Sequence, residues 1–294
     1  MGTVVLYLQY IARTAKSYAV VKSASGAIFT LHECALVPRC DNPTKSPAAK
    51  LVREAAKRTI GLKLLNQKEP LPVELLNDAI LLYLEGPSEP PLWCLVICAM
   101  CKTMWMGFLR YSDASYVWVE LMRFYPTHME FLLTKRKNDV YREGDVVFIL
   151  RDPDTRVCAV SLCERLIKAA KLKGTVCLFQ GYDGYLSRWH PEQTALTGKA
   201  MAYQQLRSCV FKLVSKTTGL SVEEAQKLYG TQSLRSGGAT IAAKKVSFAT
   251  WKAHGAWKTD IIPLRYVGKT ADERLQTTAG LVEYQVDSRK KSQK

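Results

Sequence analysis

Gln232-Ser233-Leu234-Arg235-Ser236-Gly237-Gly238-Ala239-Thr240 is the stretch on which the reading of the fold turns. An arginine stands near a helix start, where backbone N–H groups also favour anions. The two glycines behind it let another backbone come close. Leu234 to Lys245, rich in Ala and Gly, therefore reads as a closely packed helix. Upstream, Ser221 and Glu224 form a capping box that opens another helix running to Tyr229. Downstream, His254-Gly255-Ala256-Trp257-Lys258-Thr259-Asp260 leads into Pro263-Leu264-Arg265-Tyr266-Val267, and Lys252 to Val267 reads as a turn and a helix.

Two earlier stretches also combine cations with tight turns. Gly107-Phe108-Leu109-Arg110-Tyr111-Ser112-Asp113 sets an arginine at the end of an apolar run, with an acid one helical turn on. The pair reads equally as an anion site or as a plain salt bridge. Thr134-Lys135-Arg136-Lys137-Asn138-Asp139 is a basic turn between two strands, and such a hairpin also suits simple solvation. Tyr266 is one of 14 tyrosines. A phenol with a pKa of roughly 10 is a poor nucleophile unless cations and a base assist it.

The chain has 294 residues, 48% of them apolar, which suits a folded protein and excludes disorder as the main state. Lys and Arg number 42 against 26 Asp and Glu, a formal charge of +16. The excess is spread along the chain, with 11 basic and 5 acidic groups in residues 1–75 and 31 against 21 in the rest. A balance of that kind predicts a polyanionic partner. The cysteines number nine, with no paired CxxC and no secretory signal, so they read as reduced intracellular thiols. Cys94, Cys98 and Cys101 share one helix face as small hydrophobes. Pro91 to Leu109 approaches the length of a membrane span, but Lys102 interrupts it, which points to a buried core helix.

Several chemistries lack their residues. There is no GxxxxGK loop, no GxGxxG, no HExxH and no carboxylate cluster for two metal ions. His32, His128, His190 and His254 form no ligand-type pair. The expected chemistry on a polyanion is metal-free and uses no cofactor. Phosphoryl transfer of that kind needs cations on the equatorial oxygens, a placed nucleophile and a proton donor.

The elements expected are mainly α-helical with a small antiparallel β-sheet. Val4 to Ala35 reads as two helices around Ser23–Gly26, and Lys50 to Leu65 as a third. The Pro-bearing 66–72 segment suits a linker. Residues 1–70 then form a small, basic, all-helical domain, 71–287 a larger domain in which a small sheet interrupts helices, and 288–294 a basic disordered tail. In the second domain Val73 to Leu84 is an amphipathic helix. Tyr116 to Leu121, Phe131 to Leu133 and Asp145 to Leu150 read as strands, and Thr155 to Lys171 and Thr197 to Lys216 as helices.

The order of these stretches resembles the tyrosine recombinase (phage integrase) family over nearly the whole chain, which implies that 1–70 is its helical DNA-binding (core-binding) domain and 71–287 its catalytic domain. Its first box, an Arg with an acid three residues on, matches Arg110 and Asp113. Its hairpin lysine matches Lys137. Its second box, His-x-x-Arg ahead of a Gly/Ala-rich helix, matches Gln232 to Arg235, with Gln in place of the usual His. Its His-or-Trp position nine residues before the nucleophile matches Trp257 and Tyr266. The wording around His254–Asp260 and Ser233–Thr240 is similar to that of crypton and DIRS-type mobile-element recombinases.

The resemblance implies a mechanism. Tyr266 attacks a DNA phosphodiester to give a 3′-phosphotyrosyl bond and a free 5′-hydroxyl, and a partner strand's 5′-hydroxyl reverses the step without ATP. Arg110 and Arg235 clamp the non-bridging oxygens, Lys137 protonates the leaving oxygen, and Trp257 hydrogen-bonds and packs the tyrosine helix. Asp113 orients the arginines. Gln232 binds phosphate or orients Tyr266, but unlike His it does not titrate. His254 offers a nearby imidazole or simply packs. The partner expected is double-stranded DNA, contacted by Lys50, Arg53, Lys57 and Arg58 in the first domain and by Lys135 and Arg136 at the hairpin. A homo-tetramer on paired sites, coupled through a helix at 269–284, follows from the same resemblance, as does a nuclear location in a eukaryotic host. The alternative is a decayed relative that binds DNA without cutting it.

Overall fold

The computed structural model describes residues 2–61, 68–85, 90–136, 143–184 and 195–260. The chain divides into two compact units, Met1–Gln67 and Lys68–Lys294. It is mostly helical, with a small antiparallel sheet.

The first unit holds α1 (Gly2–Thr14), α2 (Tyr18–Cys34) and α3 (Pro47–Ile60) around Leu8, Val21, Ala49 and Ala56. The first helix pair breaks at Ala15–Ser17 and not at Ser23–Gly26, which lies inside α2. Ser17 takes an extended conformation and starts α2 there. A single mid-helix glycine costs only ~1 kcal/mol relative to alanine, too little to end a helix. Before α3, the Asn42 carboxamide accepts the Thr44 N–H at 3.1 Å, and Ser46 Oγ accepts the Ala49 N–H at 3.2 Å. Pro47 supplies a preset first turn.

The second unit is built round α5 (Leu92–Met106), every residue of which from Cys94 to Trp105 is buried. It packs against α4 (Val73–Leu84), α7 (Ala159–Ala169) and α10 (Thr231–Lys245). No helix among the described residues is long and apolar enough to cross a membrane. Lys102 is buried within α5 and donates to Asn77 Oδ1 at 2.6 Å; burial lowers its pKa. Short α6 (Tyr111–Ala114) follows α5.

Strands β1 (Met122–Phe124), β2 (His128–Leu133) and β3 (Asp145–Leu150) form an antiparallel sheet in that order, with Met122 opposite Phe131 and Glu130 opposite Phe148. Met129, Phe131, Leu133, Val147 and Ile149 face the core, and Val146, Phe148 and Leu150 stand exposed on the other side. Gln180–Tyr182 (β4) and Leu196–Ala200 (β5) pair as a second, two-stranded sheet. Then come α8 (Tyr203–Thr218), α9 (Val222–Leu228), α10 and α11 (Phe248–His254).

Three further sequence expectations are corrected. Tyr116–Leu121 is not a strand: the Tyr116 and Val117 N–H groups bond back to Asp113 and Ala114 as turns. Only Trp118 bridges, to Cys177, before a 3₁₀ turn over Val119–Leu121. Helix α7 starts at Ala159 and not Thr155, because Asp152 and Asp154 capture the N–H groups of Asp154 and Arg156. Thr197–Ala200 is strand and not helix. Gly198 has φ +75°, and its N–H bonds to the Gln180 side chain at 2.9 Å. The nine cysteines are all free thiols: Cys34 and Cys40 are exposed and the other seven buried. Burial raises the thiol of Cys94 to about 12 and that of Cys163 to about 12, so both stay neutral.

Candidate anion site around two arginines

The site begins where α5 ends. Phe108 has φ +48°, a left-handed conformation that turns the chain sharply after Gly107. Arg110 then takes an extended conformation and stands just before α6. Asp113, wholly buried in that helix, accepts the Arg110 backbone N–H at 3.0 Å. The same oxygen, Oδ2, lies 3.8 Å from Nη1 of Arg110 and 3.8 Å from Nη1 of Arg235. One carboxylate thus holds both arginines, and the cluster keeps a net positive charge.

Arg235 is brought there by the Gly-rich helix. A methyl built on Gly238 would lie 2.1 Å from the Trp105 carbonyl oxygen, and one on Gly237 would lie 2.2 Å from the Leu71 carbonyl oxygen. The glycines therefore serve a close approach to α5 and to the segment before α4. Trp105 Nε1–H completes that contact by donating to Leu71 O at 3.0 Å.

The Arg235 side chain is fully buried. It donates to the Phe108 carbonyl through Nη1 and to the Gly255 carbonyl through Nη2 at 2.9 Å. Its guanidinium carbon lies 4.6 Å from the centre of the Trp257 ring. Trp257 is buried against Phe108 and Trp251, with ring centroids 6.1 and 5.1 Å away. It also packs flat on Gly255, where a methyl would come within 2.1 Å of the indole. His254 turns inward: one ring nitrogen, Nε2, is 2.8 Å from the Met106 carbonyl, and the ring stands edge-on to Phe108 at 4.6 Å. A carbonyl partner assigns Nε2 as the donor.

Gln232, in the first turn of α10, is exposed. Lys135 is exposed beyond β2 with Nζ 5.4 Å from the Tyr116 ring centre, and the Tyr116 N–H bonds to Asp113 O. Arg136 is buried in an ion pair with Asp145 at 2.5 Å, so its guanidinium faces the protein. In the first unit Lys50, Lys57 and Arg58 are exposed on α3. Arg53 is half-buried and donates to Thr44 O at 2.7 Å. Lys137 and Tyr266 lie outside the described residues.

The structure thus brings Arg110, Asp113, Arg235, Trp257 and His254 together, and it adds partners the sequence does not announce. The Phe108 and Gly255 carbonyls are backbone groups without a residue-type signature. Tyr111 and Tyr203 also belong to the rim: Tyr111 donates to Met201 O at 2.8 Å, and its ring meets that of Tyr203 edge-on at 5.2 Å. Among the described residues no cluster of three His, Cys, Asp or Glu side chains is set to hold a metal ion. Two guanidinium groups beside a polar helix start are suited to an oxyanion with planar, bidentate geometry.

No profile of a known protein family matches the sequence. No curated protein matches it either. Solved structures do. The chain is similar to the integrase of transposon Tn1549, solved with transposon right-end DNA, at 14% identity and TM-score 0.55, over 95% of this chain and 84% of that one. It is similar to the XerH site-specific recombinase bound to a palindromic difH substrate, at 13% identity and TM-score 0.51, over 90% of this chain and 78% of that one. It is also similar to a lambda integrase dimer on a COC′ core site, at 15% identity and TM-score 0.51, over 91% and 79%. The fold is that of tyrosine recombinase catalytic domains.

Proposed function

We propose that the chain cuts and rejoins DNA strands as a tyrosine-type site-specific recombinase, through a 3′-phosphotyrosyl bond to Tyr266 and without metal or ATP. The observation that carries this reading is the shared carboxylate: Asp113 pairs with both Arg110 and Arg235, and Gln232 stands exposed in the first turn of the helix that carries Arg235. That pairing is what a phosphodiester needs for its two non-bridging oxygens. Tyr266 then attacks phosphorus, and the 5′-oxygen leaves with a proton from a hairpin lysine, Lys137 in the family's pattern. Trp257 supports the reading by its place against Arg235. The wording around His254 to Asp260 supports a mobile-element origin, and the neighbours solved on DNA support double-stranded DNA as substrate; binding as a homo-tetramer on paired sites is part of the same proposal.

A second reading has its own observation. Arg235 turns both Nη groups to backbone carbonyls and is fully buried, and Gln232 replaces a titrating histidine. A relative that binds DNA without cutting it fits those two facts.

Covalent trapping separates the readings. Nicked duplexes, including the sequences flanking the gene, are incubated in EDTA with wild-type protein and with Tyr266→Phe. The expected result is a protease-sensitive adduct with wild type alone, while both proteins bind the duplex. An adduct with the Phe variant rules out Tyr266 as nucleophile. Tight, salt-sensitive binding with no adduct from either protein supports the non-cutting reading.

A further inference from the structure

Tyr203, the first residue of α8, touches the chain next to both arms of the anion site. Its ring packs edge-on against Tyr111, which directly follows Arg110, at 5.2 Å. Its hydroxyl oxygen accepts from Thr231 Oγ1, which directly precedes Gln232, at 3.4 Å. The side chain therefore bridges, on the surface, the chain positions next to the first arginine and next to the start of α10.

The direction of that hydrogen bond matters. Thr231 is the donor, so the phenol oxygen is engaged as an acceptor while its own O–H finds no acceptor among the described residues. Tyr203 is 43% exposed, so the residue is open to solvent. Its ring, by contrast, is fixed by Tyr111, whose own hydroxyl is tied to Met201 O at 2.8 Å. A ring held by Tyr111, the residue after Arg110, with its hydroxyl against Thr231, one helical turn before Arg235, offers a hydrogen-bond donor to an oxyanion. A phenol adds no charge, so it confers geometry on the bound anion without adding to the salt-sensitive attraction.

We infer that Tyr203 is a further substrate-contacting residue, donating its phenolic O–H to a phosphate oxygen of the DNA strand next to the phosphate held by Arg110 and Arg235. The inference rests on the proposed recombinase function and extends its contact set by one named group. The bound strand is then held at two successive phosphates, one by charge and one by a neutral, directional donor. The second contact fixes the strand's path over the site.

Tyr203→Phe keeps the ring against Tyr111 and removes only the hydroxyl. The test measures affinity for the duplex that binds most tightly in the trapping library, using wild-type and Tyr203→Phe protein. Each is also tested on versions of that duplex in which a single phosphate is replaced by a neutral methylphosphonate. A hydrogen bond to a charged group contributes ~1.5–3 kcal/mol, so the hydroxyl is expected to carry roughly tenfold or more in affinity. Wild type loses that factor at one phosphate flanking the cleaved one. The Phe variant has lost it already and is insensitive at that position alone, with an unchanged melting temperature and salt slope.

Wild-type affinity in the Phe variant overturns the inference. So does a Phe variant whose sensitivity to methylphosphonates matches wild type at every position. A lower melting temperature with uniform weakening assigns the hydroxyl a structural role and also overturns it. Absence of any duplex binding by wild type overturns the recombinase reading itself, which distinguishes that failure from this one.

Discussion

Asp113 shows what one side chain is asked to do. It is wholly buried, its Oδ2 takes a backbone N–H, and it faces two guanidinium groups at equal distance. Removing one partner of a buried ion pair costs ~3–5 kcal/mol because the other charge is left uncompensated. Asp113→Asn is therefore expected to destabilise the second unit by about 3 kcal/mol. The urea midpoint should fall accordingly, and DNA binding should weaken as Arg110 loses its fixed direction. An unchanged midpoint would mean that the Phe108 and Gly255 carbonyls hold Arg235 by themselves. The residue types of this cluster are legible in the sequence, since arginine, acid and tryptophan each carry chemistry in their side chains. The carbonyls that cover Arg235 are not legible, because any residue supplies a carbonyl and only the backbone turns at Phe108 and after the helix Phe248–His254 bring these two to it.

At the scale of the element, two glycines with opposite surroundings give a paired prediction. Gly26 sits within α2, where an added methyl would have nothing within 4 Å, whereas the same methyl at Gly238 meets the Trp105 carbonyl at 2.1 Å. Gly26→Ala is expected to stabilise the first unit by ~0.5–1 kcal/mol through helix propensity. Gly238→Ala should destabilise by ~1–3 kcal/mol as α10 is pushed off α5. Thermal melting of the two variants checks both signs, and a melting temperature raised by both would show that α10 and α5 part without cost. Elements whose boundaries rest on local chemistry are readable. Val73–Leu84 follows from its apolar spacing, and α9 opens on the Ser221–Glu224 capping box, whose two backbone bonds are 2.9 and 3.2 Å. Elements set by a remote partner are not. Thr197–Ala200 is a strand because Gln180–Tyr182 lies beside it, and a helical reading of 197–216 has no means of weighing that neighbour. The Asp152 and Asp154 turns that delay α7 likewise compete with a helix pattern that the apolar spacing alone supports.

For the whole molecule, the surplus of cations and the distribution of buried groups differ between the two units. The first unit has a small core and a basic helix, α3, whose Lys50, Lys57 and Arg58 are exposed. The second unit buries α5 from Cys94 to Trp105 and carries the arginine pair, Arg235 fully buried and Arg110 half-buried. The cysteines follow the same division, with Cys34 and Cys40 exposed on the first unit and all seven others buried in the second. Native protein mixed with a maleimide dye should accordingly take up two labels quickly, both on the first unit. The remaining seven sulfurs should react only at the rate at which the second unit opens. Mass spectrometry of the time course checks this, and early labelling of Cys98 or Cys163 would contradict it. The natural chain thus comes with its own optical handle and its own internal clock: a fluorophore attached without mutagenesis reports on the basic helices, while the slow sulfurs time the breathing of the arginine-bearing core.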